Sequence, residues 1–137
     1  MPLRIRLKPG EKTVVNGAVL SIDGDRAATL VLHNTAAVLR GKDILLPENA
    51  DTPVKRIYLA AQMLYLDPDG QDSYQREFDD RLADVLGVVE TQAVRDQLER
   101  VRALVADRQY YSAMSQLREV LRFERRLLDP DAADDEE

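Results

Sequence analysis

The chain has no cysteine and no tryptophan, and only one histidine, His33. Without cysteine there can be no disulfide, thiolate zinc site or cysteine nucleophile. A lone histidine has no partner imidazole for a metal or a relay, so His33, at the end of an apolar run, reads as a surface or edge-strand residue. No run approaches the 18 apolar residues needed to cross a bilayer. The N-terminus carries Arg4 and Arg6 where a signal peptide would be uniformly apolar. There is no P-loop, G-x-G-x-x-G or nucleophile elbow. The carboxylates are plentiful, but Asp79-Asp80 and the run Asp134 to Glu137 read as solvated charge. These absences lead us to expect a soluble cytoplasmic protein with no membrane contact, no metal, no cofactor and no enzymatic activity.

What is present begins at the third residue. Leu3, Ile5 and Leu7 alternate with Arg4, Arg6 and Lys8. A period of two marks a half-buried strand, with a row of cations spaced about 7 Å apart on its exposed face. The chain as a whole is acidic, with a net charge of −6 and a pI near 4.9. The charge is split along its length. Residues 1–66 hold nine basic and six acidic residues, or +3, and residues 67–137 hold ten and nineteen, or −9. An acidic protein lacks general affinity for nucleic acid, but the split leaves room for a local cationic site on the first half.

The turn signals divide that half into short strands. Pro9-Gly10 follows the first strand, and Thr13-Val14-Val15 forms a second. Asn16-Gly17 is a strong hairpin dipeptide, and Ala18 to Ile22 resumes the strand pattern. Further strands are expected at Thr29 to His33 and Ala37 to Arg40, after which Gly41-Lys42-Asp43 turns before Ile44-Leu45-Leu46. The period then changes. Thr52-Pro53 reads as an N-cap with proline at the first helical position, followed by Ile57, Ala60, Ala61 and Leu64 at helical spacing. Ser73 or Asp72 can cap a second helix carrying Tyr74, Phe78, Leu82, Val85 and Leu86, with Gly87 near its end. Thr91 can cap a third, with Val94, Leu98, Val101, Leu104 and Val105. A fourth is expected from about Arg108 to Leu128, with Tyr111, Met114, Leu117, Leu121 and Leu128 inward. The expected fold class is α+β. A small antiparallel β unit occupies residues 1–50, a region of three or four helices 51–128, and a disordered acidic tail 129–137.

Several separated segments resemble the FlbT family. They are Leu3 to Lys12, Asn16-Gly17-Ala18-Val19, Val38-Leu39-Arg40-Gly41-Lys42-Asp43-Ile44, Thr52-Pro53, Ile57-Tyr58, Met63 to Asp67, Gly87-Val88-Val89 and Tyr110-Tyr111-Ser112-Ala113. The resemblance runs from Met1 to about Leu128. It implies a regulator of flagellum biogenesis, a post-transcriptional repressor that associates with the 5′ untranslated region of flagellin mRNA and promotes its decay. The N-terminal segment is also similar to CsrA-type RNA-binding regulators. The Gly10-Glu11 turn matches the turn after that family's first strand, and Arg40 falls on its RNA-contacting arginine. The chain departs from the pattern in having Leu7 for the first of two paired arginines and one extra residue between Arg40 and Ile44.

With that resemblance, Arg4, Arg6, Lys8 and Arg40 are the candidate RNA-binding residues. The first three would contact phosphate, and Arg40 would contact phosphate or a base through its fork of donors. The plainer alternative is that the cations only decorate an edge strand and discourage edge pairing. The tyrosines at helical spacing read as core rather than stacking platforms, although adjacent Tyr110 and Tyr111 cannot both face one core. A second function class stays open, a protein-interaction module whose helices bind flagellin or another flagellar assembly factor. Some fifty residues of short strands bury little surface by themselves. A homo-oligomer is therefore expected unless helices complete the core within one chain.

Overall fold

The computed structural model describes residues 2–129. The chain is α+β, with strands before residue 50 and helices after it. The strands are β1 (Leu3–Leu7), β2 (Lys12–Val15), β3 (Ala18–Ser21), β4 (Ala28–Leu32) and β5 (Val38–Arg40). The helices are α1 (Pro53–Leu66), α2 (Gln71–Leu86), α3 (Gln92–Ala106) and α4 (Tyr110–Leu128). Single 3₁₀ turns lie at Gly41–Asp43, Pro47–Asn49 and Pro68–Gly70. By internal contacts the chain divides into two compact units. One holds the residues up to Ile44 together with Tyr65–Asp69, and the other holds Leu45–Leu64 and the chain from Gly70 onward. Of the expected acidic tail, 129–137, all but Asp129 lies outside the described residues.

The first unit contains two small antiparallel sheets, β1 with β4 and β5–β2–β3. Asn16 and Gly17 both adopt positive φ (50° and 86°), as a two-residue hairpin of the observed hand requires, and they set the β2–β3 register. Ile5 and Leu7 of β1, Val14 of β2 and Leu39 of β5 are buried. Thr13 is fully buried as well, and its hydroxyl donates to the Leu39 carbonyl at 3.1 Å. The outer edge of β5 is closed by Tyr65. Its hydroxyl accepts from the Val38 N–H and donates to the Val38 C=O, both at 2.9 Å. Gly41 does more than turn the chain. A Cβ there would lie 2.7 Å from the Lys12 carbonyl oxygen, so β2 and the end of β5 approach too closely for any side chain.

The second unit is helical. Its buried stripes follow the 3.6-residue period: Val54, Ile57, Ala61 and Leu64 on α1; Phe78, Leu82 and Val85 on α2; Val94, Leu98, Val101 and Val105 on α3; Ala113, Met114, Leu117 and Val120 on α4. Thr52 caps α1 as expected, its Oγ1 accepting the Lys55 N–H at 3.2 Å. Glu124 of α4 reinforces that cap. It accepts the Thr52 hydroxyl at 2.6 Å and the Val54 N–H at 3.2 Å. Beside it, the exposed Asp51 carboxyl is held below its usual range by the hydrogen bond and charge of Lys55.

Four expectations are corrected here. Ile44-Leu45-Leu46 forms no strand, because the buried Gln62 amide satisfies the Leu45 N–H and C=O at 2.8 and 2.9 Å and leaves no bond for a ladder. Ser73 and Asp72 do not cap α2, because the 3₁₀ turn at Pro68–Gly70 runs straight into a helix that begins at Gln71. Tyr111 is not inward. Tyr110 takes the sheltered position, donating its hydroxyl to Gln71 at 3.0 Å, and the exposed Tyr111 ring carries the Arg118 guanidinium at 5.7 Å. Leu128 is exposed at the end of α4, and the buried residues there are Ala113, Met114, Leu117 and Val120.

Candidate nucleic-acid interface

The candidate site is built on β1 and the turn that follows it. The register places Ile5 opposite Leu30 and Leu7 opposite Ala28, while Arg4 stands opposite Val31 and Arg6 opposite Thr29. Directly opposed residues share a face. Ile5 and Leu7 are therefore on the buried side, and Arg4 and Arg6 are on the exposed side with no carboxylate across from them. Lys8 lies just past the strand. It opens a turn in which the Glu11 N–H donates to the Lys8 carbonyl at 3.0 Å and the Lys8 N–H donates to Glu11 Oε1 at 2.9 Å.

Arg40 reaches this corner from the end of β5. Its Nη1 lies 3.5 Å from both the Arg6 carbonyl oxygen and Glu11 Oε2. A residue thirty-four positions away is thus brought beside the C-terminal end of β1. The Arg40 guanidinium and the Lys8 backbone N–H both meet the Glu11 carboxylate, beside the Arg6 carbonyl, and Arg4 stands one strand repeat before Arg6, about 7 Å along the exposed face. None of the ion pairs among the described residues involves Arg4, Arg6 or Lys8.

Sequence reasoning missed Glu11. Read only as part of a turn, it is the carboxylate that organises the cationic corner. The available signal was its position, three residues after Lys8 and directly after Gly10, where a side chain can fold back onto the turn's first N–H. Arg40 and Glu11 are both partly exposed, with side chains about 41% and 33% accessible. Such a pair orients Arg40 without locking it, since exposed ion pairs contribute only about 0–1 kcal/mol. The corner offers charge-assisted donors to an anion. Among the described residues, no cluster of three or more metal-ligating side chains occurs, and no helix is long and apolar enough to cross a membrane.

By fold and site this is a small α+β protein whose distinguishing surface is a row of cations on a strand, set in an otherwise acidic chain. Residues 3–128 match the family described as flagellar protein FlbT. The chain is 43% identical over 124 residues to the "Flagellum biosynthesis repressor protein FlbT" of Caulobacter vibrioides, covering 90% of this chain and 87% of that protein. It is 36% identical over 128 residues to the "Probable flagellum biosynthesis repressor protein FlbT" of Rhodopseudomonas palustris, covering 93% and 98%. A protein of the same printed name from Agrobacterium fabrum is 32% identical over 126 residues, covering 92% and 83%. The chain belongs to the FlbT family. No solved structure gives a significant match.

Proposed function

We propose that this protein is a repressor of flagellum biosynthesis that acts in the cytoplasm on the messenger. In this reading Arg4, Arg6, Lys8 and Arg40 bind the 5′ untranslated region of flagellin mRNA. The repressor role rests on the names its relatives carry. The RNA target rests chiefly on one observation: the cations of β1 stand exposed and make no ion pair among the described residues, at the end of the strand that Arg40 reaches. Phosphates would replace the water around Arg4, Arg6 and Lys8 and release counterions. Arg40 needs only to give up a weak, partly exposed pair with Glu11 to engage a phosphate or an unstacked base. Decay of the message then follows indirectly, through a change in its structure or recruitment of another factor.

An electrophoretic shift with flagellin leader RNA tests this, with an unrelated leader of equal length as control. A shift with the flagellin leader that weakens steeply as salt rises is expected. No shift with either RNA, at low salt, would contradict it.

A second reading has one observation in its favour. The helical unit carries an open, mainly apolar groove of about 310 Å³, lined by Pro47, Leu59, Met63 and Tyr74, with Arg56 and Arg81 among its charged residues. A helical segment of flagellin or of another flagellar assembly factor would fit such a groove. A nuclease-resistant complex with purified flagellin, lost on Leu59→Asp, would support this reading.

A further inference from the structure

The β5–β2–β3 sheet has two edges, and they are treated differently. At β5 the outward N–H and C=O of Val38 are both satisfied by the Tyr65 hydroxyl. At β3 nothing equivalent occurs. The two-residue Asn16-Gly17 turn makes Val15 and Ala18 a hydrogen-bonded pair, so alternation turns the backbone groups of Val19 and Ser21 outward. No hydrogen bond to those groups is present among the described residues.

The side chains of β3 point the same way. On one face of the sheet the register aligns Leu39, Val14 and Val19. Leu39 is 1% exposed and Val14 4%, but Val19 is 63% exposed, so the apolar stripe runs out of cover at the edge. On the other face Leu20, beside the buried Thr13, is 37% exposed. Natural edge strands are protected by charge, proline, a bulge or a covering segment. Ala18–Ser21 has no charge or proline and pairs with β2 without interruption.

We propose that this edge is an interface with a second copy of the chain, formed by antiparallel pairing of β3 with β3 about a two-fold axis at Leu20. Val19 of each copy then exchanges both backbone bonds with Ser21 of the other, which uses every outward group of the strand. The two Leu20 side chains lie directly opposite each other. The strand suits itself as a partner because it is uncharged, so no like charges meet across the axis. In that register Asp23 of one copy falls opposite Gly17 of the other, and no carboxylate faces another. The pairing is isologous and closes, giving a six-stranded sheet with Tyr65 guarding both of its outer edges.

The absence of cysteine makes the register directly testable. Opposed residues in a non-hydrogen-bonded antiparallel pair have Cα atoms about 4.5 Å apart, at the short end of the disulfide range. The full chain should sediment at twice its 15.5 kDa mass at high micromolar concentration. Leu20→Cys should form a covalent dimer under mild oxidation, and Val88→Cys, more exposed than Leu20 but outside the β3 edge, should not. Val19→Lys should give a monomer with an unchanged circular dichroism spectrum, since Val19 contributes little to the core. A parent that stays monomeric, a dimer that survives Val19→Lys, or a Leu20→Cys variant that folds but cross-links no better than Val88→Cys would each overturn the proposal.

Discussion

Arg40 joins the end of β5 to the turn after β1, and in the proposed function the same side chain contacts RNA. It lies opposite Thr13 at the end of β5, and its guanidinium reaches the Arg6 carbonyl and Glu11. Arg40→Ala is expected to weaken RNA binding by about 1–3 kcal/mol if the fork reads a base. Lys55→Ala, which removes the α1 partner of Asp51, should change little, and affinities of both variants by gel shift would check this. Tyr65 is a different kind of residue. Its hydroxyl makes two bonds to Val38, and Tyr65→Phe leaves both backbone groups without a partner. That change should cost about 1–3 kcal/mol in urea unfolding. From the sequence, the alternation of residues 3–8 gave the side on which each cation lies. It could not show that Glu11 sits among them, because that depends on how the turn folds back. Nor could it show that Tyr65 serves a strand rather than a helical core, because the contact spans 27 positions.

At the scale of elements, local chemistry explains most boundaries. Asn16-Gly17 and Thr52-Pro53 act where short-range rules place them. The boundaries set by distant contacts were not legible. Glu124 caps α1 from about seventy residues away, and nothing near Thr52 announces it. Glu124→Ala should destabilise the helical unit by about 1–2 kcal/mol in thermal or urea unfolding, through the lost cap and the lost negative charge at a helix N-terminus. The end of α3 carries no glycine signal. Arg108 adopts φ 59°, its N–H donates to Val105 at 3.0 Å, and the Gln109 N–H donates to Leu104 at 2.8 Å. This is a helix-ending motif that ordinarily places glycine where Arg108 stands. Arg108→Gly should therefore raise stability, by about 0.5–1 kcal/mol after the entropy glycine adds to the unfolded chain. The reversal of Tyr110 and Tyr111 has a similar origin. Periodicity fixes which residues share a stripe, but the rotation of α4 is set by the burial of Ala113, Met114, Leu117 and Val120 and by the bond from Tyr110 to Gln71 of α2.

For the whole molecule, charge separates the proposed RNA site from the rest of the chain. A chain at −6 repels a polyanion at long range, so binding has to be won locally by a few cations. Affinity should then fall steeply with salt, and each phosphate-contacting cation removed should flatten that dependence by about one charge. The alternation of β1 makes the test clean. Arg4 and Arg6 lie on the exposed face and Lys8 and Arg40 are outside the core, so replacing them spares Ile5, Leu7 and Leu39. The direct measurement is the affinity of the Arg4/Arg6/Lys8/Arg40 quadruple alanine variant for flagellin leader RNA at several salt concentrations, with circular dichroism to confirm folding. A folded variant that has lost leader binding, with little salt dependence left, is the expected result. A folded variant that binds the leader as tightly as the parent would contradict the cationic-face account and leave the helical groove as the better site.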